Sequence, residues 1–254
     1  MNPLEIKELL ILICTELTAC IDLINMGAIS KYYYVTIKSN KWPHLNIFLG
    51  TDKDVILMRK NYNFNKIILR ATSATDASIS RLTNLHTIDL CNTEVTDTSV
   101  SLLTKLNTID LSYTDVTDAS VSLLTNLHTL NLSWTKVTDT SVSLLTKLHA
   151  LDLSWTKVTD ASVSLLTNLH TLNLSYTKVT DASISLLTKL HTLYLGNTKV
   201  TDTSISLLTN LHILDLSWTK VTNSSVSQLI KLHKIYFWGT SVTDECKKIL
   251  RTKR

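Results

Sequence analysis

The chain is predicted to be an α/β solenoid, a row of stacked near-identical units with no single central core. Three observations carry this expectation. Leucine or isoleucine returns every 21 residues at Ile88, Ile109, Leu130, Leu151, Leu172, Leu193, Leu214 and Ile235. A threonine keeps the same interval nine times, from Thr72 to Thr240. Glycine and proline are scarce, 4 and 2 among 254 residues, which argues against flexible linkers between units. A unit of this size can bury its apolar face only against its neighbours.

Each element follows from the type unit Leu127–Lys147, numbered 1 to 21. Leu127, Leu130 and Leu132 occupy positions 1, 4 and 6, and the last two bracket an outward residue, as in a short strand with one buried face. Val137, Val142 and Leu145, at positions 11, 16 and 19, complete the expected core. The last two are three apart, as on one helical face. Thr138-Asp139 precede that stretch and suit the N-terminus of a short helix. The pair recurs at Thr117-Asp118, Thr159-Asp160, Thr180-Asp181 and Thr201-Asp202, and weakens to Thr222-Asn223. Units run from Phe64 to about Thr252, so a parallel sheet would extend on the order of 40 Å. Trp238, Cys246, Lys247 and Lys248 break the pattern in the last copy, as a terminal cap would.

Leu127-x-x-Leu130-x-Leu132-x-x-Thr135 resembles the leucine-rich-repeat motif, with threonine where that family usually carries asparagine or cysteine. The Val-Thr-Asp that follows is similar to the cysteine-containing class. The resemblance covers about three quarters of the chain and implies a leucine-rich-repeat horseshoe of about nine 21-residue units with a parallel concave sheet. A threonine hydroxyl can replace the ladder residue by bonding turn backbone of neighbouring coils.

The first 63 residues lack the period. Leu9, Leu10, Ile13 and Leu17 fall on one helical face, and Leu23, Met26 and Ile29 continue a second helix. Asp22-Leu23, Ile29-Ser30-Lys31, Ile37 and Trp42 resemble an F-box, a trio of helices, although Pro3 precedes Leu4 where that family opens Leu-Pro. The resulting division is an F-box-like helical segment at 1–42, a degenerate linking repeat at 43–63 around Leu45–Leu49, and the solenoid with its C-terminal cap at 64–254. The resemblance implies a substrate-recognition subunit of a cullin–RING ubiquitin ligase. Leu9, Leu10, Ile13, Leu23 and Ile29 would contact the ligase's adaptor, and the repeats would hold an unknown protein substrate. The alternatives are a stand-alone repeat protein whose head is a plain helical cap, or a pathogen effector imitating a host F-box protein.

Position 8 carries Tyr113, Trp134, Trp155, Tyr176 and Trp218, interrupted by Asn197. Position 5 carries Asp89, Asp110, Asp152 and Asp215 among Asn131, Asn173 and Tyr194. With positions 3 and 7 these should line the concave face. Aromatics there serve either as partner anchors or as a ladder stacked on itself, and the acids suit a basic or amide-rich peptide. Lys136, Lys157, Lys178, Lys199 and Lys220 form a column at position 10, and Lys105, Lys147, Lys189 and Lys231 recur at alternate position-21 sites. A net charge of +4 and the Asp column at position 13 argue against nucleic acid. Position 2 holds His86, His128, His149, His170, His191, His212 and His233, whose mutual repulsion should weaken the fold as pH falls.

No unique nucleophile–base set and no glycine-rich loop appears, so neither an enzyme nor a cofactor is expected. Cys14, Cys20, Cys91 and Cys246 have neither disulfide-cap nor metal spacing, which points to a reducing compartment. Leu9–Cys14 is too short for a membrane span and is preceded by Glu5, Lys7 and Glu8 instead of a basic leader. The expectation is a monomeric solenoid in cytoplasm or nucleus, or in the host cytoplasm for a viral protein. Abundant Ile, Lys, Asn and Thr suggest an AT-rich genome of a protist or a large DNA virus. Because copying repeats surface residues whether or not they bind, the breaks at Tyr194, Asn197, Ile213 and Trp238 are the informative positions.

Overall fold

A computed structural model describes residues 33–37, 45–49, 66–70 and 73–246, the first two segments by their backbone. Nine parallel strands form one sheet in chain order: β3 (Lys66–Ile68), β4 (Thr87–Asp89), β5 (Thr108–Asp110), β6 (Thr129–Asn131), β7 (Ala150–Asp152), β8 (Thr171–Asn173), β9 (Thr192–Tyr194), β10 (Ile213–Asp215) and β11 (Lys234–Tyr236). Register never slips, because every strand pairs with its neighbour one period away, as Leu130 does with Leu151. A single four-residue helix, such as Asp139–Val142, follows each strand up to β10. The expected solenoid is the observed fold.

Its core keeps the period. Leu127, Leu130, Leu132, Val137, Val142 and Leu145 are each at most 1% exposed, and their equivalents form one continuous apolar column. Position 15 joins them: Ser141, Ser162 and Ser183 are completely buried. A buried hydroxyl requires a partner, and the partner lies one coil back.

Asp139, at position 13, binds the helix start of the following unit. Its Oδ1 accepts from the Thr159 amide at 2.9 Å, the Ser162 amide at 3.3 Å and the Ser162 hydroxyl at 2.5 Å. Its Oδ2 accepts from the Thr159 hydroxyl at 2.6 Å. The Thr159 hydroxyl then accepts from the Ala161 amide and caps its own helix. Asp118 and Asp160 grip their successors in the same way. The Asp column is therefore an inter-coil clamp, and its charge is spent on hydrogen bonds instead of balancing the lysines. The last clamp is Asn223, which exchanges two bonds with Thr243. Position 15 of that final coil is Cys246, which has no hydroxyl to offer a carboxylate.

The threonine ladder works differently from expectation. Thr135 Oγ1 donates at 2.6 Å to the Leu132 carbonyl of its own coil, and the same bond recurs from Thr93 to Thr240. It closes the turn within a coil. Backbone bonds, such as Leu132 N to Asp152 O and His149 N to His128 O, join one coil to the next.

The head departs from the sequence reading. Residues Tyr33–Ile37 form a strand, β1, antiparallel to β2 (Leu45–Leu49), where the F-box resemblance places a third helix. The run Tyr-Tyr-Val-Thr-Ile is aromatic and β-branched throughout, the composition that favours a strand. Leu45–Leu49 is a strand as expected, but it belongs to this hairpin and not to a repeat coil. Strand β1 lies beside β3 without joining its sheet. Residues 1–32, with Leu9, Leu10, Ile13, Leu23 and Ile29, lie outside the described residues.

Two outcomes follow from the clamp. Asp139→Ala strands the donors of the next coil and should cost at least about 2 kcal/mol, since bonds to a charged acceptor are worth roughly 1.5–3 kcal/mol each. A urea-unfolding cycle with Ser162→Ala should show coupling between the two, and strictly additive losses would rule the clamp out. Burial pushes Asp76, Asp97, Asp118, Asp139, Asp160, Asp181 and Asp202 up, yet the Ser and Thr donors of the next coil outweigh it and hold all seven below the ordinary carboxylate range. A carboxyl with a lowered folded pKa contributes stability that is complete above the unfolded value near 3.9 and disappears as pH falls below it. Melting temperature should therefore fall steeply below about pH 4, and a flat profile there would contradict the assignment.

Candidate interaction surfaces

The strands leave a cleft of about 340 Å³ on the concave face, lined by residues of β3 through β9. Its floor is Thr87, Thr108, Thr129, Ala150 and Thr171 at position 3, all short side chains. Asp89, Asp110, Asn131, Asp152 and Asn173 edge it at position 5, and Tyr194 is its bulkiest member. Small residues on a pleated sheet leave a trough, whereas larger ones would fill it.

The acids are less available than their number implies. Asp110 Oδ1 accepts from the Ser112 amide and hydroxyl, and its Oδ2 accepts from Arg70 at 3.2 Å and Asn131 Nδ2 at 3.2 Å. Asp152 repeats the turn with Ser154 and takes Asn173 Nδ2 at 2.9 Å. Asp89 is bonded by the Cys91 amide and by Arg70 at 3.1 Å. Asp89 is the main cause that raises the pKa of the Arg70 guanidinium. Asp215 accepts from the Ser217 amide and does not line the cleft. Alternating Asp and Asn thus make a mostly self-satisfied rail.

The aromatic column lies apart from the cleft, at the turn after each strand. Every described residue of position 8 has left-handed backbone, with φ 57° at Tyr113, 58° at Trp134, 59° at Trp155 and Tyr176, and 61° at Trp218. That conformation is rare for bulky side chains and costs of order 1 kcal/mol each. Stacking offsets it. Ring centroids are 5.5 Å apart from Tyr113 to Trp134, 4.3 Å from Trp134 to Trp155 and 3.9 Å from Trp155 to Tyr176. Asn92, Asn197 and Gly239 adopt the same backbone with little strain. The self-stacked ladder is thus observed, and the rings' faces are mutually covered while their edges stay exposed.

The histidines also stack, with centroids 5.3–5.5 Å apart from His128 to His233. Lys105, Lys147, Lys189 and Lys231 each reach back 21 residues to Asn84, Asn126, Asn168 and Asn210, tying alternate coils together. Of the position-10 lysines, Lys136 pairs with Asp115 at 2.7 Å, the one ion pair of that column among the described residues. One surface escaped the sequence reading: Leu102, Leu123, Leu144, Leu165, Leu186 and Leu207 form a column about half exposed. Each precedes a buried leucine, as Leu144 precedes Leu145, and two adjacent residues cannot both face inward. That pairing was the available signal. Among the described residues no group of three or more His, Cys, Asp or Glu is arranged to hold a metal, and no helix is long and apolar enough to cross a membrane.

Models described as leucine-rich repeat match residues 123–145, 144–166 and 207–229, and one described as two copies of the repeat matches 167–207. Among solved structures, an internalin of Listeria monocytogenes (InlF) superposes with a TM-score of 0.60 at 25% identity, over 71% of this chain and 56% of the internalin. Internalin C2 of the same organism gives 0.60 at 27% identity, over 79% of this chain and 87% of its own. The Arabidopsis receptor kinase HAESA, in complex with the peptide hormone IDA and the co-receptor SERK1, gives 0.57 at 22% identity, over 72% of this chain and 35% of the receptor. This chain therefore spans little more than half of InlF and about a third of the receptor chain. No curated protein matches the sequence.

The histidine stack has a measurable consequence. Burial, followed by His212, His170 and Lys231, holds the His191 imidazole below its ordinary value. Its contribution to stability is present above the unfolded value near 6.5 and is lost as pH falls through the lowered folded value. Melting temperature should decline from pH 8 towards pH 5.5, above the carboxylate range, and His191→Gln should flatten that slope. An unchanged slope in the variant would refute the assignment to His191.

Proposed function

We propose that this chain, which belongs to the leucine-rich-repeat family, is a protein-interaction scaffold that holds an extended segment of a partner across the concave face. The observation that carries it is the short-residue trough running over β3 to β9. Seven strands about 4.8 Å apart span on the order of 29 Å, so roughly nine residues of extended chain at about 3.3 Å each cross them. Asp152, at the cleft edge, has no cationic partner among the described residues, which suits a basic or amide-bearing segment, while Asp89 and Asp110 are engaged by Arg70. The aromatic ladder of Tyr113, Trp134, Trp155, Tyr176 and Trp218 lies apart from this path, at the turn after each strand, and offers ring edges to a partner that extends beyond the trough.

The finer assignment is to the substrate-recognition subunit of a cullin–RING ubiquitin ligase, with catalysis belonging to the ligase's other subunits. Its support is sequence similarity at Asp22-Leu23, Ile29-Ser30-Lys31 and Trp42, and the strand at residues 33–37 removes one helix from the F-box comparison. Adaptor contact would fall to Leu9, Leu10, Ile13, Leu23 and Ile29. A stand-alone scaffold, or an effector acting in a host cell, needs none of these contacts.

Thr129→Arg with Thr171→Arg fills the trough without touching the core or the clamp. Proteins captured by the immobilised full chain should be lost with this variant and kept with Thr146→Arg, which alters an exposed position outside the trough. Identical capture by all three would remove the concave-face assignment. Mixing the full chain with purified adaptor should yield a complex that Leu10→Asp abolishes. No complex with the unaltered chain would end the ubiquitin assignment and leave the scaffold.

A further inference from the structure

The seventh unit breaks the repeat at three adjoining outward positions together. Tyr194 replaces Asp or Asn, Gly196 replaces Ser, and Asn197 replaces an aromatic residue. The geometry points to a slot above Asn197, between the rings of Tyr176 and Trp218, that receives one aromatic side chain from an acidic segment of a partner protein.

The slot follows from the spacing. Tyr176 and Trp218 stand two coils apart, roughly 9–10 Å at about 4.8 Å per strand. A ring between two others needs contacts of about 3.5–4 Å on each face, or about 7–8 Å in all. One ring fits and two do not. Among the described residues no ring pair closes across Asn197, whereas the ladder before it is continuous from Tyr113 to Tyr176. Trp218 instead leans on the far side, against Gly239, where an added Cβ would lie 2.4 Å from its Cε3. Its exposure is 65%, against 43% for Trp155 inside the stack and 42% for Tyr176 on the other wall, and among the described residues no ring covers it. Gly196 extends the break to the neighbouring column: a Cβ there would meet Ser175 Oγ at 3.5 Å and Asp215 Oδ2 at 3.8 Å, ordinary contacts, so the backbone does not demand glycine.

Charge selects the partner. Positions 8 and 10 are both exposed and flank the buried position 9, so each lysine lies two residues along the chain from the aromatic turn. Lys178, Lys199 and Lys220 stand beside the slot, and among the described residues none of them forms an ion pair, unlike Lys136. An acidic segment places carboxylates on these lysines while its aromatic residue enters the slot. A single-stranded nucleic acid is the weaker fit, because such strands bind by stacking successive bases, and this ladder offers one open gap.

The probe is a ten-residue glutamate-rich peptide with one central phenylalanine, titrated into the full chain by calorimetry and tryptophan fluorescence. Saturable binding is expected, falling at least about tenfold when the phenylalanine becomes alanine or when Lys178 and Lys199 are both changed to glutamate. Asn197→Trp completes the ladder, on a left-handed backbone that Trp134 already adopts at φ 58°. It should keep or raise the melting temperature and lose binding at least about tenfold. Thr129→Arg with Thr171→Arg should leave peptide binding intact, which separates this slot from the concave trough. Equal affinity of Asn197→Trp and the unaltered chain, equal affinity of the alanine peptide, or tighter binding of oligothymidine than of the peptide would each overturn the proposal.

Discussion

The carboxylate clamp between coils is the interaction on which the rest of the structure depends. Four-residue helices do not persist alone, because nucleation is costly and too few bonds form to repay it. Here each helix start from Thr96 to Thr222 is held from outside by the aspartate of the coil before, through two backbone amides and two hydroxyls in the most complete cases. The clamp sets the distance and register of successive coils, and the leucine column then packs without gaps. From Ser99 onward the buried serine of position 15 is satisfied by that aspartate, whereas Ser78 of the first helix donates to the Thr75 carbonyl.

The edge at which each strand turns shows a second constraint. Left-handed backbone at position 8 favours asparagine or glycine, and three units use them. Tyr113, Trp134, Trp155 and Tyr176 offset the strain by packing face to face in succession, and Trp218 lies against Gly239. This gives the column two kinds of site: closed stretches where rings cover one another, and one gap where a neighbour is missing. The same substitutions that make unit seven irregular change the concave rail at Tyr194, so the two surfaces share a discontinuity.

Much of this was legible in the sequence because a strict period is self-reporting. Leu130, Leu132, Val137, Val142 and Leu145 declare their common burial by recurring in phase, and strand and helix spacing follow from the same positions. The function of Asp139 was not legible. Beside Thr138 it reads as a local helix-start residue, whereas its ligands Thr159 and Ser162 lie 20 and 23 residues on. The aromatic positions were visible as a column, but their separation from the cleft depends on a backbone dihedral that composition does not encode. Motif similarity places Tyr33–Ile37 in a helix, although its β-branched and aromatic residues favour the strand that forms.

By itself, the sequence determined that the chain stacks, which side chains form its core and where its pattern breaks, because period and polarity are properties of the string. The tertiary structure alone decided which polar groups are already satisfied. Asp110 and Asp139 are both repeated aspartates, yet one edges a cleft and the other binds the next helix. The physical reason is that hydrogen-bond partners across coils are set by three-dimensional register, which brings together groups that are remote along the chain.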